Sequence, residues 1–264
     1  MNIFIRELKA NLKSILIWSG ISILFVIVGF SKFSAFYGNP DLLVVLDGVP
    51  PAMMDALNMN AFNLTTVTGF YGVMMTYFAL ILSISAAMWG SDVISKEERD
   101  KTVEFSLALP VARWKLVTAK TAAVMLNCAL LLLVTRGSIL VNVAKYEPNP
   151  AFYDFVTVSM QAFFIMQMIF MTIGVFLGCA LKQHKRAGSV AVSILLGSYF
   201  ASILSGLSPA MDFLKYISPF KYFDAAVLLR DAKLDPTFIL LSFAIIAVSL
   251  AGAYLSYAKR DLYI

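Results

Sequence analysis

Six charge-poor runs of about twenty residues constrain this sequence more than any other feature. A helix of that length crosses the hydrocarbon core of a bilayer and satisfies its own backbone hydrogen bonds, as lipid requires. We therefore expect an all-α, polytopic membrane protein with six transmembrane helices, and one transmembrane domain over residues 1–264. The predicted spans are residues 15–33, 69–90, 116–143, 156–180, 188–207 and 237–257.

Composition agrees with lipid as the main solvent. Only 14% of the 264 residues are charged and 60% are hydrophobic, whereas a soluble domain usually has about a quarter charged residues. The charged residues fall between the six runs and leave no stretch long enough for a separate soluble domain. We attribute the net charge of +5 to the Lys and Arg residues that gather on the cytoplasmic side of membrane proteins. No nucleic-acid-binding motif is present, so nucleic acid is not an expected partner.

The basic residues set the expected orientation, because Lys and Arg gather on the cytoplasmic side. With the N-terminus inside, the first external loop carries Asp41, Asp47 and Asp55 and no base after Lys32. We therefore expect a multi-pass protein of the cell membrane with both termini in the cytoplasm. Seven of the 21 basic residues depart from this bias: Lys32, Arg136, Lys145, Lys215, Lys221, Arg230 and Lys233.

The N-terminal residues have two unlike faces when drawn as a helix. The basic residues Arg6, Lys9 and Lys13 lie opposite an apolar face. This pattern predicts an amphipathic helix over residues 1–13 that lies on the cytoplasmic surface. The alternative is a plain extension of the first span. The apolar face consists of Phe4, Ile5, Leu8 and Leu12.

Three other features lie between or within the spans. Asn39-Pro40 and Pro50-Pro51 predict short helices in the external segment 34–68, because Pro suits a first helical turn. Residues 208–236 mix aromatic and charged residues and predict an interfacial or re-entrant hairpin with its break at Ser218-Pro219. Small residues in the fifth span predict close packing against protein.

The connector between the second and third spans, residues 91–120, has an unusual order of features. A dense charge cluster begins at Lys96, a short apolar helix follows from Val103 to Leu109, and Pro110 stops it. A short helix held at the membrane surface between two spans can transmit force from a cytoplasmic partner, as a coupling helix. The alternative is a solvated loop.

This connector resembles the signature loop of the type-2 family of ATP-binding-cassette (ABC) exporter permeases. That family typically shows an acidic cluster, a Thr-hydrophobic-Glu step, a Leu-rich run ending in Leu-Pro, then a small residue, Arg and a later Lys. Lys101 stands where the family often has Gly. The matching positions are Glu97, Glu98, Thr102-Val103-Glu104, Leu107-Ala108-Leu109-Pro110, Val111-Ala112-Arg113 and Lys120.

Three further segments are similar to the same family and occur in the same order. They are Phe4 to Lys9 before the first span, Ile217 to Asp224 before the last span, and Tyr257 to Leu262 at the end. The resemblance therefore covers the whole chain. It implies that two permease subunits pair around a translocation path, and that two separate ATPase subunits dock below and bind ATP and Mg²⁺.

The resemblance also implies which residues couple the permease to the ATPase: Glu97, Glu98, Lys101, Glu104 and Arg113. Solvation of a loop is the alternative for the acids. The chain contains no G-x-x-x-x-G-K-[ST] phosphate loop. We therefore expect no enzyme activity, and no catalytic, cofactor or metal residues, on this chain. The substrate is not specified, because members of the family export drugs, peptides and lipids.

Two basic residues of the third span need separate interpretation. Arg136 is a candidate for the substrate path, where it would meet an anionic group, or else it snorkels to the external headgroups. No carboxylate in the six predicted spans is available as its partner. Lys120, near the cytoplasmic end, is expected to anchor at the headgroups.

Other classes of membrane protein fit less well. A membrane-embedded enzyme needs acids, histidines or an activated nucleophile, and the predicted spans hold no Asp, Glu or His. An ATP-independent transporter usually shows internal repeats and broken helices, and neither is evident. A non-transporting scaffold stays open as an alternative.

Overall fold

The computed structural model describes residues 3–39, 54, 62–99, 111–181, 183–207 and 209–259. Among these residues, six helices are long and apolar enough to cross a membrane, and there is no strand. The prediction of an all-α, six-span membrane protein is confirmed. The six helices are α1 (Ile3–Phe36), α2 (Val67–Arg99), α3 (Arg113–Val143), α4 (Pro150–Ala180), α5 (His184–Leu207) and α8 (Pro236–Ala258).

Local sequence explains several helix starts. Asn149 accepts a hydrogen bond from the Phe152 amide, and Pro150 takes the first turn of α4. Asp235 accepts from the Thr237 amide and Pro236 follows it in α8. Side chains of this kind satisfy amides that a helix leaves unpaired at its N-terminus, and Pro has no amide to satisfy there.

Helix α4 forms the centre of the bundle. Within the most apolar 18-residue window of each span, 78% of the α4 residues are buried, against 17% in α5 and 17% in α8. Helices α2, α3, α5 and α8 all pack against α4. The outer helices therefore present most of their apolar surface outward, to lipid or to another protein.

The α2–α4 contact brings two backbones together at glycines. A Cβ atom on Gly90 would lie 2.2 Å from the Met171 carbonyl oxygen, and one on Gly174 would lie 2.5 Å from the Ala87 carbonyl oxygen. Only glycine fits at such distances, and the interface gains dispersion contacts in return. The close packing predicted for α5 is absent within the chain at Gly197, where nothing lies within 4 Å of an added Cβ.

Replacing Gly174 with Leu is expected to destabilise the bundle by about 1–3 kcal/mol or more, because the new side chain meets backbone that cannot move aside. The measurement is the thermal unfolding midpoint of detergent-purified protein, with its elution profile in size-exclusion chromatography. Gly137→Leu is the matched control, since nothing lies within 4 Å of a Cβ added there. Equal unfolding midpoints for the two variants would contradict the tight α2–α4 contact.

The N-terminal segment departs from its prediction as a separate surface helix. Residues 3–13 are the first turns of α1, which continues unbroken to Phe36. No Pro or Gly precedes Gly20, so nothing in the sequence bends the helix. At about 1.5 Å per residue its 34 residues span about 51 Å, more than the roughly 30 Å of hydrocarbon. The alternative, an extension of the first span, is the arrangement found.

Helix α2 is likewise longer than predicted. It continues to Arg99, so Lys96 and Glu97 lie on a helical extension of the span rather than in a loop. The predicted coupling helix, Val103 to Leu109, lies outside the described residues, and so do Lys101 and Glu104. The two helices predicted after Asn39 and Pro50 also fall largely outside them.

The segment between α5 and α8 folds into three short helices. A 3-10 helix, Pro209–Tyr216, precedes α6 (Pro219–Tyr222) and α7 (Ala225–Asp231). The predicted break at Ser218-Pro219 is confirmed. Tyr222 stacks on Phe238 of α8 at 5.0 Å between ring centroids, and burial raises the pKa of its phenol to about 12. The depth of this hairpin in the membrane stays a prediction.

Candidate functional site

Five charged side chains meet at one end of the helix bundle, where α1 and α3 begin and α2 ends. We call this group the ion cluster: Arg6 and Glu7 of α1, Lys96 and Glu97 of α2, and Lys120 of α3. The side chains of Lys120, Glu7 and Glu97 are 0%, 3% and 8% exposed. Charges buried to this extent are stable in a protein only when they are paired and hydrogen-bonded.

Lys120 is the centre of the ion cluster. Its Nζ atom lies 2.8 Å from Oε1 of Glu97 and 3.5 Å from Oε1 of Glu7. It also donates a hydrogen bond of 2.8 Å to the Val93 carbonyl oxygen of α2. The expectation that Lys120 anchors at the headgroups is wrong, because α2 and α1 place two carboxylates beside it.

The outer cations of the ion cluster complete the pairing. Nη2 of Arg6 donates to Oε1 of Glu97 at 3.1 Å, and Lys96 pairs with Glu7. Each carboxylate thus contacts cations from two different helices or more. Because truncating one member of a buried pair leaves an uncompensated charge, the three helix ends are held in one relative position.

The predicted coupling residues are distributed differently. Glu97 is buried in the ion cluster. Glu98 lies in the last turn of α2, and its side chain lies outside the described set. Arg113 opens α3 and donates from Nη1 to the carbonyl oxygens of Tyr257 and Ala258, at 3.3 and 3.1 Å. A cation there lies at the negative end of the α8 dipole, where the last carbonyls of the helix accept from it. Contact of these residues with an ATPase stays a prediction.

Arg136, the candidate for the substrate path, is half-buried on α3. Its Nη2 atom lies 3.4 Å from Oγ1 of Thr157 on α4. Thr157 in turn donates to the Tyr153 carbonyl oxygen within its own helix. The guanidinium is thus directed toward a neighbouring helix of the same chain. A role in substrate transport stays a prediction.

A cavity of about 790 Å³ lies beside the ion cluster, between α1, α2 and α5. Its size is in the range that accommodates small organic ligands. The apolar part of the lining includes Trp18 and Trp89, and the Trp89 indole donates to Oγ of Ser14 at 2.8 Å. The other lining residues are Met88, Ser91, Asp92, Ser95, Lys185, Gly188, Ser189 and Val192.

Sequence reasoning missed both the ion cluster and this cavity. Glu7, Glu97 and Lys120 come from three distant parts of the chain, so no local motif links them. Trp18 and Trp89 near the ends of two spans were a usable signal, since Trp concentrates at membrane interfaces. That signal predicts depth in the bilayer, but it does not predict a cavity.

Comparison with known proteins agrees with this architecture. The family model described as "ABC-2 family transporter protein" matches residues 1–262. A search of curated proteins found no match. Proteins of this family are membrane components that work with ABC ATPase partners and are not the ATPase. With a match over almost its whole length and six membrane-spanning helices, the chain belongs to the ABC-2 family of transporter proteins.

Proposed function

We propose that this permease exports its substrate, that it forms the path with a second permease subunit, and that two separate ATPase subunits drive it with ATP and Mg²⁺. The proposal includes a plasma-membrane location with cytoplasmic termini. The observation that carries it is the ion cluster. The cluster joins the end of α2 and the start of α3, the two helices that flank the predicted coupling segment, to the N-terminal end of α1.

The ion cluster provides a mechanical route for coupling. A movement of the ATPase that displaces the segment between Arg99 and Arg113 is applied to the ends of α2 and α3. Because Lys120 pairs with Glu97 of α2 and Glu7 of α1, these ends move together with α1. Arg113 extends the same movement to α8 through the Tyr257 and Ala258 carbonyls.

The cavity is suited to substrate access from the cytoplasmic side. Ser95 lines it and lies two residues before Glu97, so the cavity adjoins the part of α2 that coupling would move. The rings of Trp18 and Trp89 offer apolar contact, whereas Asp92 and Lys185 offer both signs of charge. This lining favours an amphipathic substrate with a charged or zwitterionic head.

The exposed face of α5 is suited to the second permease subunit. Ile194, Phe200 and Leu204 are 43%, 60% and 43% exposed, and Gly197 lies among them with nothing within 4 Å of an added Cβ. A small residue between apolar side chains allows another helix to approach closely. The packing that the sequence predicts for this span then takes place between subunits.

Replacing Gly197 with Trp is expected to weaken subunit pairing by roughly tenfold or more without unfolding the subunit, because the ring would occupy the approach path of the partner helix. Crosslinking yield and native mass spectrometry measure the pairing, and the thermal midpoint measures the fold. Gly20→Trp is the control on an outward-facing glycine of α1, where nothing lies within 4 Å of a Cβ. Pairing that is lost equally in both variants would argue against α5 as the interface.

The decisive experiment is purification of the tagged chain together with its ATPase. Native mass spectrometry should show two permeases with two ATPase subunits, and ATP-dependent transport should run outward from the cytoplasmic face. Purified alone, the chain should not hydrolyse ATP. Hydrolysis by the chain alone, or ATP-driven uptake toward the cytoplasm, would contradict the proposal.

A further inference from the structure

Three polar side chains lie at the mid-depth of the bundle, one on each of three adjacent helices. Ser83 is the central residue of α2 (Val67–Arg99), Asn127 lies one residue before the centre of α3, and Gln167 lies two residues after the centre of α4. We call these residues the midplane polar site. Each of the three helices is long and apolar enough to cross a membrane, and each residue lies far from both ends of its helix.

Contacts of neighbouring residues show which faces of the three helices carry these side chains. Helices α2 and α4 run parallel, and a Cβ on Gly174 would touch the α2 backbone at Ala87 and Ser91, next to Gly90. Ser83 and Gln167 lie two turns before Gly90 and Gly174, on the same faces. Asn127 lies two turns after Lys120 on the same face of α3, and Lys120 donates to the Val93 carbonyl oxygen of α2.

Burial makes these side chains unusual. Ser83, Asn127 and Gln167 are 1%, 0% and 0% exposed. Within the part of the chain that the structure describes, none of their side-chain oxygen and nitrogen atoms has a hydrogen-bond partner. An amide buried without partners loses its hydration and gains nothing in return, so native proteins rarely retain one without bound water.

We propose that the midplane polar site binds one or more ordered water molecules between α2, α3 and α4. Water both donates and accepts, and so do the two amides and the hydroxyl, which together supply the two to four polar partners that a buried water needs. A metal cation fits less well, because the three side chains carry no charge. Helix α2 contributes to both this site and the cavity, whereas α3 and α4 contribute no residue to the cavity lining.

The test is water-edited solid-state NMR of the ¹⁵N-labelled complex in lipid bilayers, which detects transfer from water protons to side-chain amides. Gln167 is assigned by the signal that disappears in Gln167→Leu. Transfer to Gln167 is expected at short mixing time, despite its position at mid-depth. Gln183, exposed between α4 and α5, is the positive control. Transfer to Gln183 without transfer to Gln167 overturns the proposal.

A second variant tests whether the three side chains act together. Asn127→Leu should reduce water transfer to Gln167 at least twofold, because it removes one of the groups that hold the water. Asn142→Leu is the control on the same helix, since the Asn142 amide donates to the Ser138 carbonyl within α3. A direct Asn127–Gln167 amide contact with no water transfer in the unmodified protein would show paired amides and overturn the water site.

Discussion

Replacing Lys120 with Met is expected to lower the free energy of unfolding by about 3–5 kcal/mol and to abolish ATP-driven transport. Lys120 is fully buried, and its Nζ lies between Glu97 and Glu7. Met has a similar length and no charge, so it leaves two buried carboxylates with fewer cations. The thermal unfolding midpoint and substrate transport by the reconstituted complex measure the two effects.

Two further variants separate the charge of Lys120 from its volume. Lys120→Met combined with Glu97→Gln should recover part of the lost stability, because the second change removes the carboxylate that Lys120 neutralised at 2.8 Å. Lys115→Met, on the exposed side of the same helix, should have an effect within about 0.5 kcal/mol. A Lys120→Met protein as stable as the unmodified one would show that the ion cluster does not hold the helix ends together.

The burial of Glu97 changes what would be tested by replacing the acids of the connector with Lys. From the sequence, Glu97 and Glu98 are equivalent acids of a loop that contacts the ATPase. In the structure, Glu97 is a buried partner of Lys120 and Arg6. Glu97→Lys would therefore add a fourth cation to Arg6, Lys96 and Lys120 and perturb the fold, whatever Glu98 does.

The six spans were predictable because a hydrophobic run of twenty residues is a local property, and so were helix starts such as Asn149-Pro150. The ion cluster was not. The distance between Glu7 and Lys120 along the sequence gives no sign that they meet, and each charge resembles an ordinary helix-end residue. Helix α2 continues to Arg99 because no Pro or Gly stops it, and that continuation carries Glu97 to Lys120.

The cavity depends in the same way on the arrangement of helices. Its lining combines residues of α1, α2 and α5, and only their packing makes Trp18, Trp89 and Ser189 neighbours of one space. For the N-terminal segment, the pattern was visible in the sequence but the resulting structure was not. The amphipathic faces of residues 1–13 are present in the sequence, but amphipathicity does not decide whether a helix lies flat or continues straight into a span.

Replacing Ser189 with Trp is expected to reduce binding and transport of an amphipathic substrate by roughly tenfold or more, which corresponds to at least about 1.4 kcal/mol. Ser189 lines the cavity from α5, so an indole at this position would fill space that a substrate needs. The probe is a fluorescent zwitterionic lysophospholipid, whose tail suits the two Trp rings and whose head suits Asp92 and Lys185. Its binding is measured by fluorescence anisotropy, and its effect by stimulation of ATP turnover.

Ser193→Trp provides the matched comparison. Ser193 is exposed on the same helix, one turn from Ser189, and does not line the cavity. Both variants add the same ring to α5, so a general effect of a bulky residue on subunit pairing would appear in both. Loss of binding in Ser189→Trp alone, with basal ATP turnover retained, supports the cavity as the access site. Unchanged probe affinity in Ser189→Trp would show that the substrate enters elsewhere, because a ligand cannot occupy volume that the indole has filled.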